Sequence, residues 1–176
     1  MYPYVRAAAR LFGASRKSRL GFFDEITTHH RAWPTDTDIF GELNNGRILT
    51  LFEMGRWEMT MRMGLGRLVL REGYGFAVAG VSVRYRRRIP TWSRYHMKTR
   101  LLGWDERFMY VDQSMWRGDE ACSQLLLRAA FMHKGKSVAP QVVTQKLGVD
   151  AQSPALPDWV TNWIEADATR PWPPQS

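Results

Sequence analysis

The stretch TDTDIFGELNNGRILTLFEMGRWE, residues 35–58, decides how the rest of the chain is read. Its first half is polar and places two aspartates, Asp36 and Asp38, ahead of Gly41. Its second half is rich in Leu, Met, Phe and Trp. Asn44 suits the N-cap of a helix, because its side-chain oxygen can accept from the first free backbone amides. The run after it predicts one long helix over 45–63, with Gly64 and Gly66 marking the exit. Ile48, Phe52, Gly55 and Met59 form one stripe, while Leu49, Leu51, Met61 and Met63 spread apolar character to other faces. A helix apolar on most sides is one surrounded by other structure.

What surrounds it reads as strand. Aromatic and β-branched residues predict strands over 23–32, 75–89, 93–104, 107–117 and 120–134, each bounded by Gly, Pro or Asp turns such as IPTW, GWDER, RGDE and KGK. Connections this short imply antiparallel neighbours. The expected fold is α+β, with one curved antiparallel sheet wrapped around the long helix. Short helices follow over 140–147 and 157–166, then a proline-rich end. Residues 1–21 form a basic N-terminal arm or short helix. There Val5, Ala8, Leu11 and Phe12 share a face opposite Arg6 and Arg10, which suits docking on the domain or peripheral contact with an anionic membrane surface.

Composition narrows the function classes. A chain of 176 residues with 44% apolar content suits one folded domain. A single cysteine, Cys122, excludes an internal disulfide and a Cys-rich zinc site, and favours a reducing compartment, the cytoplasm. His29 and His30 are adjacent and point to opposite faces of a strand, so no metal is expected, and no cofactor. The net charge of +8 fits nucleic acid, an anionic membrane or a phosphate-bearing ligand. No nucleic-acid motif accompanies it, so no nucleic-acid partner is expected. No apolar run approaches the roughly 18 residues of a membrane span.

A strand, then Asp-x-x-Gly, then a long buried helix and four long antiparallel strands resembles the hotdog-fold acyl-CoA thioesterases of the 4-hydroxybenzoyl-CoA thioesterase-like family. Asp36, Asp38, Gly41, Asn44 and Asn45, then Glu53 and Arg56, stand at the spacings of that family's entry motif. RYRRRI and KTRLLGWDERFMYVDQ resemble an animal branch of the same fold. Together the likeness covers about 25–148. Two positions depart from it: Glu42 stands where the family has His, and Ile48 where it has Tyr.

The resemblance implies a thioesterase-like domain over 22–148, with 149–176 as a helix and tail packed on it. It implies hydrolysis of a fatty or aromatic acyl-CoA, without metal, by a homodimer or dimer of dimers. Asp38 takes the catalytic position as nucleophile or general base, with Gly41, Glu42 and Asn45 as participants. A helix N-terminus beside Asp38 offers backbone amides that can polarise a thioester carbonyl. Arg84, Arg86 and Arg88 are expected to meet CoA phosphates, for which arginine is well suited. Glu53 and Arg56, three apart on the helix, are expected to form a structural ion pair. The absent His and Tyr also admit a second reading, a non-catalytic acyl-CoA or lipid binding module.

Overall fold

The computed structural model describes residues 2–149 and 152–174. Positions 150–151 of the expected C-terminal segment and 175–176 of its tail lie outside the described residues, as does Met1.

The helix predicted over 45–63 is α2, Asn45–Arg62. Asn44 caps it as expected, its Oδ1 accepting from Gly46 N at 3.0 Å and Arg47 N at 3.2 Å. A six-stranded antiparallel sheet curls around α2 in the order β1-β3-β4-β5-β2. Its strands are β1 (Ile26–Arg31), β2 (Tyr74–Tyr85), β3 (Arg94–Trp104), β4 (Met109–Arg117) and β5 (Glu120–His133), and a short β6 (Lys136–Val138) also pairs with β5. Alternation puts Met97, Val111, Met115, Leu125 and Leu127 on the inner face, where Leu51, Phe52 and Met54 of α2 complete the core.

Helix and sheet are closest at Gly55. A Cβ there would lie 2.5 Å from Met97 Sδ and 2.9 Å from Thr99 Oγ1, so a side chain has no room.

Three elements differ from the sequence expectation. β2 ends at Tyr85 instead of running to 89, because the amides of Arg86 and Arg87 both turn onto Cys122 O, at 2.8 and 3.0 Å. Gly64 and Gly66 do not end the helical region. Gly64 adopts φ +85°, and a second helix, α3 (Leu65–Glu72), restarts and buries Leu65 and Leu68. β6 was hidden in the KGK turn, being too short to show a period.

The ends of the chain cover two surfaces. α1, Tyr4–Ala14, lies on α2, and its basic side faces inward. Arg6 grips the buried Asp36 at 2.6 and 2.7 Å, while Arg10 and Lys17 approach the buried Glu58 at 3.6 and 2.6 Å. The short helix α4 (Pro140–Lys146) follows β6. α5, Asp158–Ala168, packs on the outer sheet face, where Val160 joins Tyr110 and Leu126 in a separate apolar cluster.

Candidate active site

Asp38 sits in a tight loop between a short 3-10 turn, Pro34–Asp36, and α2. Thr37 bridges Leu43, and Asp38 N donates to Glu42 O at 2.9 Å. Gly41 turns the loop with φ +71°, and its carbonyl accepts from both N and Oγ1 of Thr91, each at 2.8 Å. The loop is thereby fixed to the segment after β2. Asp38 Oδ1 accepts from Phe40 N at 2.9 Å, an Asx turn. The other carboxylate oxygen has no protein partner among the described residues. Glu42 is half-buried beside Pro90, and its carboxylate likewise has no protein partner among them.

Asp36, the other aspartate of the motif, is 1% exposed and serves the fold. Besides Arg6 it meets Arg47 Nε at 3.3 Å. Nothing local in the sequence marks the thirty-residue link to Arg6.

The first turn of α2 is mostly satisfied from within. Asn44 takes Gly46 N and Arg47 N on its side chain and Ile48 N on its carbonyl. Among the described residues the amide of Asn45 meets no acceptor, which leaves it as the free donor at the positive end of the helix. The carbonyl of Asn45 accepts from Tyr85 Oη at 3.3 Å, tying β2 to the same turn.

Further along α2 a cavity of about 230 Å³ opens between residues 53–60 and the inner faces of β2, β4 and β5. Its walls include Trp57, Phe76, Met109 and Leu127, with Glu53 and Arg56 as charged members. Glu53 and Arg56 do not bond to each other as expected. Trp57 Nε1 donates to Glu53 Oε1 at 3.3 Å, and Arg56 Nη1 donates to Gln113 Oε1 at 2.7 Å. Burial lowers the Arg56 pKa to about 10, against the opposing pull of the Glu53 charge. Gln113 was not singled out from the sequence, yet a signal existed. It is the polar member of the inward series Met109, Val111, Gln113, Met115.

Arg84 and Arg86 reach the outer sheet face, where they line a groove of about 360 Å³ with Lys98, Arg100 and Trp116. Arg100 is paired with Asp112 at 3.1 Å and Lys98 with Glu25 at 3.4 Å, whereas Arg84 and Arg86 have no carboxylate partner among the described residues. Arg88 is not part of this groove: the amides of Arg86 and Arg87 both turn onto Cys122 O, and the chain leaves the strand path before Arg88. Cys122 is buried, and burial pushes its thiol pKa up, which suits an inert thiol. No three His, Cys, Asp or Glu among the described residues stand close enough to share a metal.

A family model described as the thioesterase-like superfamily matches residues 32–164, from the end of β1 into α5. The chain belongs to the thioesterase-like superfamily. Within it, protein THEM6 of Drosophila melanogaster is 32% identical over 163 residues, covering 90% of this chain and 80% of the relative. Protein THEM6 of Xenopus laevis is 30% identical over 133 residues, and this chain spans only 63% of that relative's length. These are the animal branch that the TRLLGWD segment resembles. A probable thioesterase from Bartonella henselae superposes with a TM-score of 0.61 at 21% identity, covering 66% of this chain and 98% of that one. A Staphylococcus aureus protein solved in complex with CoA gives 0.61 at 10% identity, covering 81% and 96%. The thioesterase-like family and the sheet-wrapped helix agree: the fold is the hotdog fold.

Proposed function

We propose that the protein hydrolyses an acyl-CoA thioester to the free acid and CoA, using Asp38 and no metal. The observation that carries this reading is a juxtaposition along α2. A carboxylate loop is fixed at its N-terminus, the Asn45 amide there is unused, and an acyl-sized cavity lies further down the helix. Asp38 either attacks the carbonyl carbon or takes a proton from the attacking water. The carbonyl oxygen gains charge and is met by Asn45 N–H at the positive helix end. Collapse of the tetrahedral species breaks the C–S bond. With Asp38 as base the acid forms directly, and the departing thiolate takes the proton that Asp38 drew from the water; with Asp38 as nucleophile an acyl–Asp38 anhydride forms, which a water then hydrolyses to the acid and free Asp38, its proton going to the CoA thiolate. Arg84 and Arg86 meet the CoA phosphates from their shared groove, and Arg88, outside it, is the third candidate contact.

The remaining parts of the reading follow from surfaces. β2 is a long edge strand with Ala77, Val78 and Val81 exposed, and two such edges pairing would give the homodimer, from which a dimer of dimers can be built. The outward side of α1, with Tyr4, Val5 and Phe12 exposed, is where the arm would touch a membrane surface. The cytoplasm is the compartment this reading assigns.

The test is hydrolysis of an acyl-CoA panel by wild type, Asp38→Asn and Glu42→Gln. Asp38→Asn is expected to lower kcat by roughly 100- to 10,000-fold. An Asp38→Asn variant as active as wild type removes Asp38 from the mechanism. One observation favours the alternative, a binding module without turnover: Asn44 occupies two of the amides that an oxyanion would otherwise use. Tight acyl-CoA binding by a wild type that hydrolyses no panel member would establish that alternative.

A further inference from the structure

Arg56 and Glu53 are the two charged groups of the cavity, and Arg56 is the cation that the proposed chemistry leaves unused. Its guanidinium points into the domain, since its acceptor Gln113 is 1% exposed. Gln113 is itself held in place. Its Nε2 donates to Phe52 O and to Thr99 Oγ1, both at 2.9 Å, which turns Oε1 toward Arg56. No carboxylate among the described residues lies within 4.0 Å of the guanidinium, and Glu53 gives its Oε1 to Trp57. Among the described residues the fork of five N–H donors makes a single hydrogen bond, to the neutral amide oxygen of Gln113. The half-buried guanidinium thus keeps donors to spare beside the Glu53 charge, and an anion with two oxygens matches them.

We propose that Arg56 is a specificity residue that receives a second carboxylate at the far end of the acyl group, so that the preferred substrates are half-thioesters of dicarboxylic acids. This deepens the thioester-hydrolase reading and rests on it. The planar fork matches a carboxylate in two parallel hydrogen bonds. A methyl-ended chain would instead leave the cation against hydrocarbon. The dimensions agree with a medium-length acyl group. The cavity holds about eight water-sized volumes at ~30 Å³ each. Arg56 lies eleven residues beyond Asn45, or about 16 Å along the axis. Its side chain tilts back toward the helix N-terminus, which shortens the span to the order of 10 Å.

The experiment compares the CoA thioester of a medium-chain fatty acid with the CoA half-thioester of the dicarboxylic acid of equal length. The proteins are the full chain as wild type, Arg56→Met and Arg56→Lys. Wild type is expected to favour the carboxylate-ended substrate by about 10- to 100-fold in kcat/KM, the worth of a charge-assisted contact. Arg56→Met should abolish or reverse that ratio mainly through KM, and Arg56→Lys should restore part of it. If Arg56→Met does not fold, the Arg56→Lys ratio decides. An unchanged ratio in the variants, or a wild type that prefers the methyl-ended chain, overturns the assignment. Should wild type hydrolyse neither substrate, the hydrolase reading fails separately. Calorimetric binding of the two non-hydrolysable CoA thioethers then decides the role of Arg56: tighter binding of the carboxylate-ended one that is lost in Arg56→Met sustains it, and binding indifferent to Arg56 refutes it.

Discussion

Gly55→Ala sets two opposing effects against each other at the point where α2 meets the sheet. In an exposed helix the change would stabilise by about 1 kcal/mol, because glycine is a poor helix former. Here the added methyl would lie 2.5 Å from Met97 Sδ, 2.9 Å from Thr99 Oγ1 and 3.1 Å from Gln113 Nε2. Met97 and Thr99 are both 0% exposed, and Thr99 is β-branched and stiff, so neither can swing into solvent. Overpacking of this kind costs about 1–3 kcal/mol, and three fixed neighbours argue for the upper end. The net expectation is a loss of about 2 kcal/mol, or a fall in Tm of about 4–8 °C for a chain of this size. The same displacement pushes on Gln113, so the preference between carboxylate-ended and methyl-ended acyl groups should shrink as well. Chemical denaturation measures the first effect and the substrate ratio the second. A variant as stable as wild type, or more so, would mean that the helix propensity gain outweighs the contact, and the close approach at Gly55 would not be a constraint.

Other consequences can be measured independently. Arg6→Met leaves the buried Asp36 with Arg47 alone and should cost about 2–3 kcal/mol, of which Asp36→Asn in the same chain should restore part by removing the unpaired charge. Burial, aided by Arg10 and Arg6, lowers the His30 pKa to about 2, so the folded state keeps it neutral while the unfolded chain protonates below about 6.5. The stability this group contributes is present above that pH and is lost by about 1.4 kcal/mol per unit as pH falls below it; His30→Gln should flatten that slope in denaturant titrations. Arg84→Gln with Arg86→Gln should raise KM for acyl-CoA about tenfold with kcat unchanged, and leave a thioester lacking the nucleotide unaffected.

The fold was legible because one segment combined several signals. Asn44 gave the helix start, and apolar residues on most faces of 45–63 demanded a sheet around it. Four long strands with short turns then left little choice of topology. The site was legible in part. Asp38, Gly41 and the cap lie within eight residues of one another, so a local pattern could hold them. Arg56 and Gln113 are far apart in sequence and meet only through the sheet register. The expected Glu53–Arg56 pair came from helical spacing alone, which says that two side chains can meet and not that they do. Arg88 shows the same limit, since strand alternation loses its meaning past the turn of two amides onto Cys122 O, whereas Arg86 still lines the groove with Arg84.

α1 shows most plainly why a periodic pattern gives a face and not its direction. Val5, Ala8, Leu11 and Phe12 read as one face, suited to docking on the domain or to a membrane surface, opposite Arg6 and Arg10. In the folded chain Val5 is 85% and Phe12 61% exposed, and both arginines turn inward. The magnitudes account for this orientation. Burying the Val5 and Phe12 side chains would yield about 1.5–3 kcal/mol each. Asp36 and Glu58 are 1% and 2% exposed beneath α1, and leaving a buried carboxylate unpaired costs about 3–5 kcal/mol. Arg47 can answer Asp36 in part, but Glu58 has only Arg10 and Lys17 among the described residues. The two acids therefore outweigh the two apolar side chains, and they choose the cationic side of the helix. It follows that removing the acids should release α1. A Glu58→Leu, Asp36→Leu chain no longer needs the cations, and proteolysis should then cut within residues 4–14 far faster than in wild type while the sheet-wrapped helix stays folded. Equal protection of α1 in that chain would show that something other than the buried charges holds the helix in this orientation.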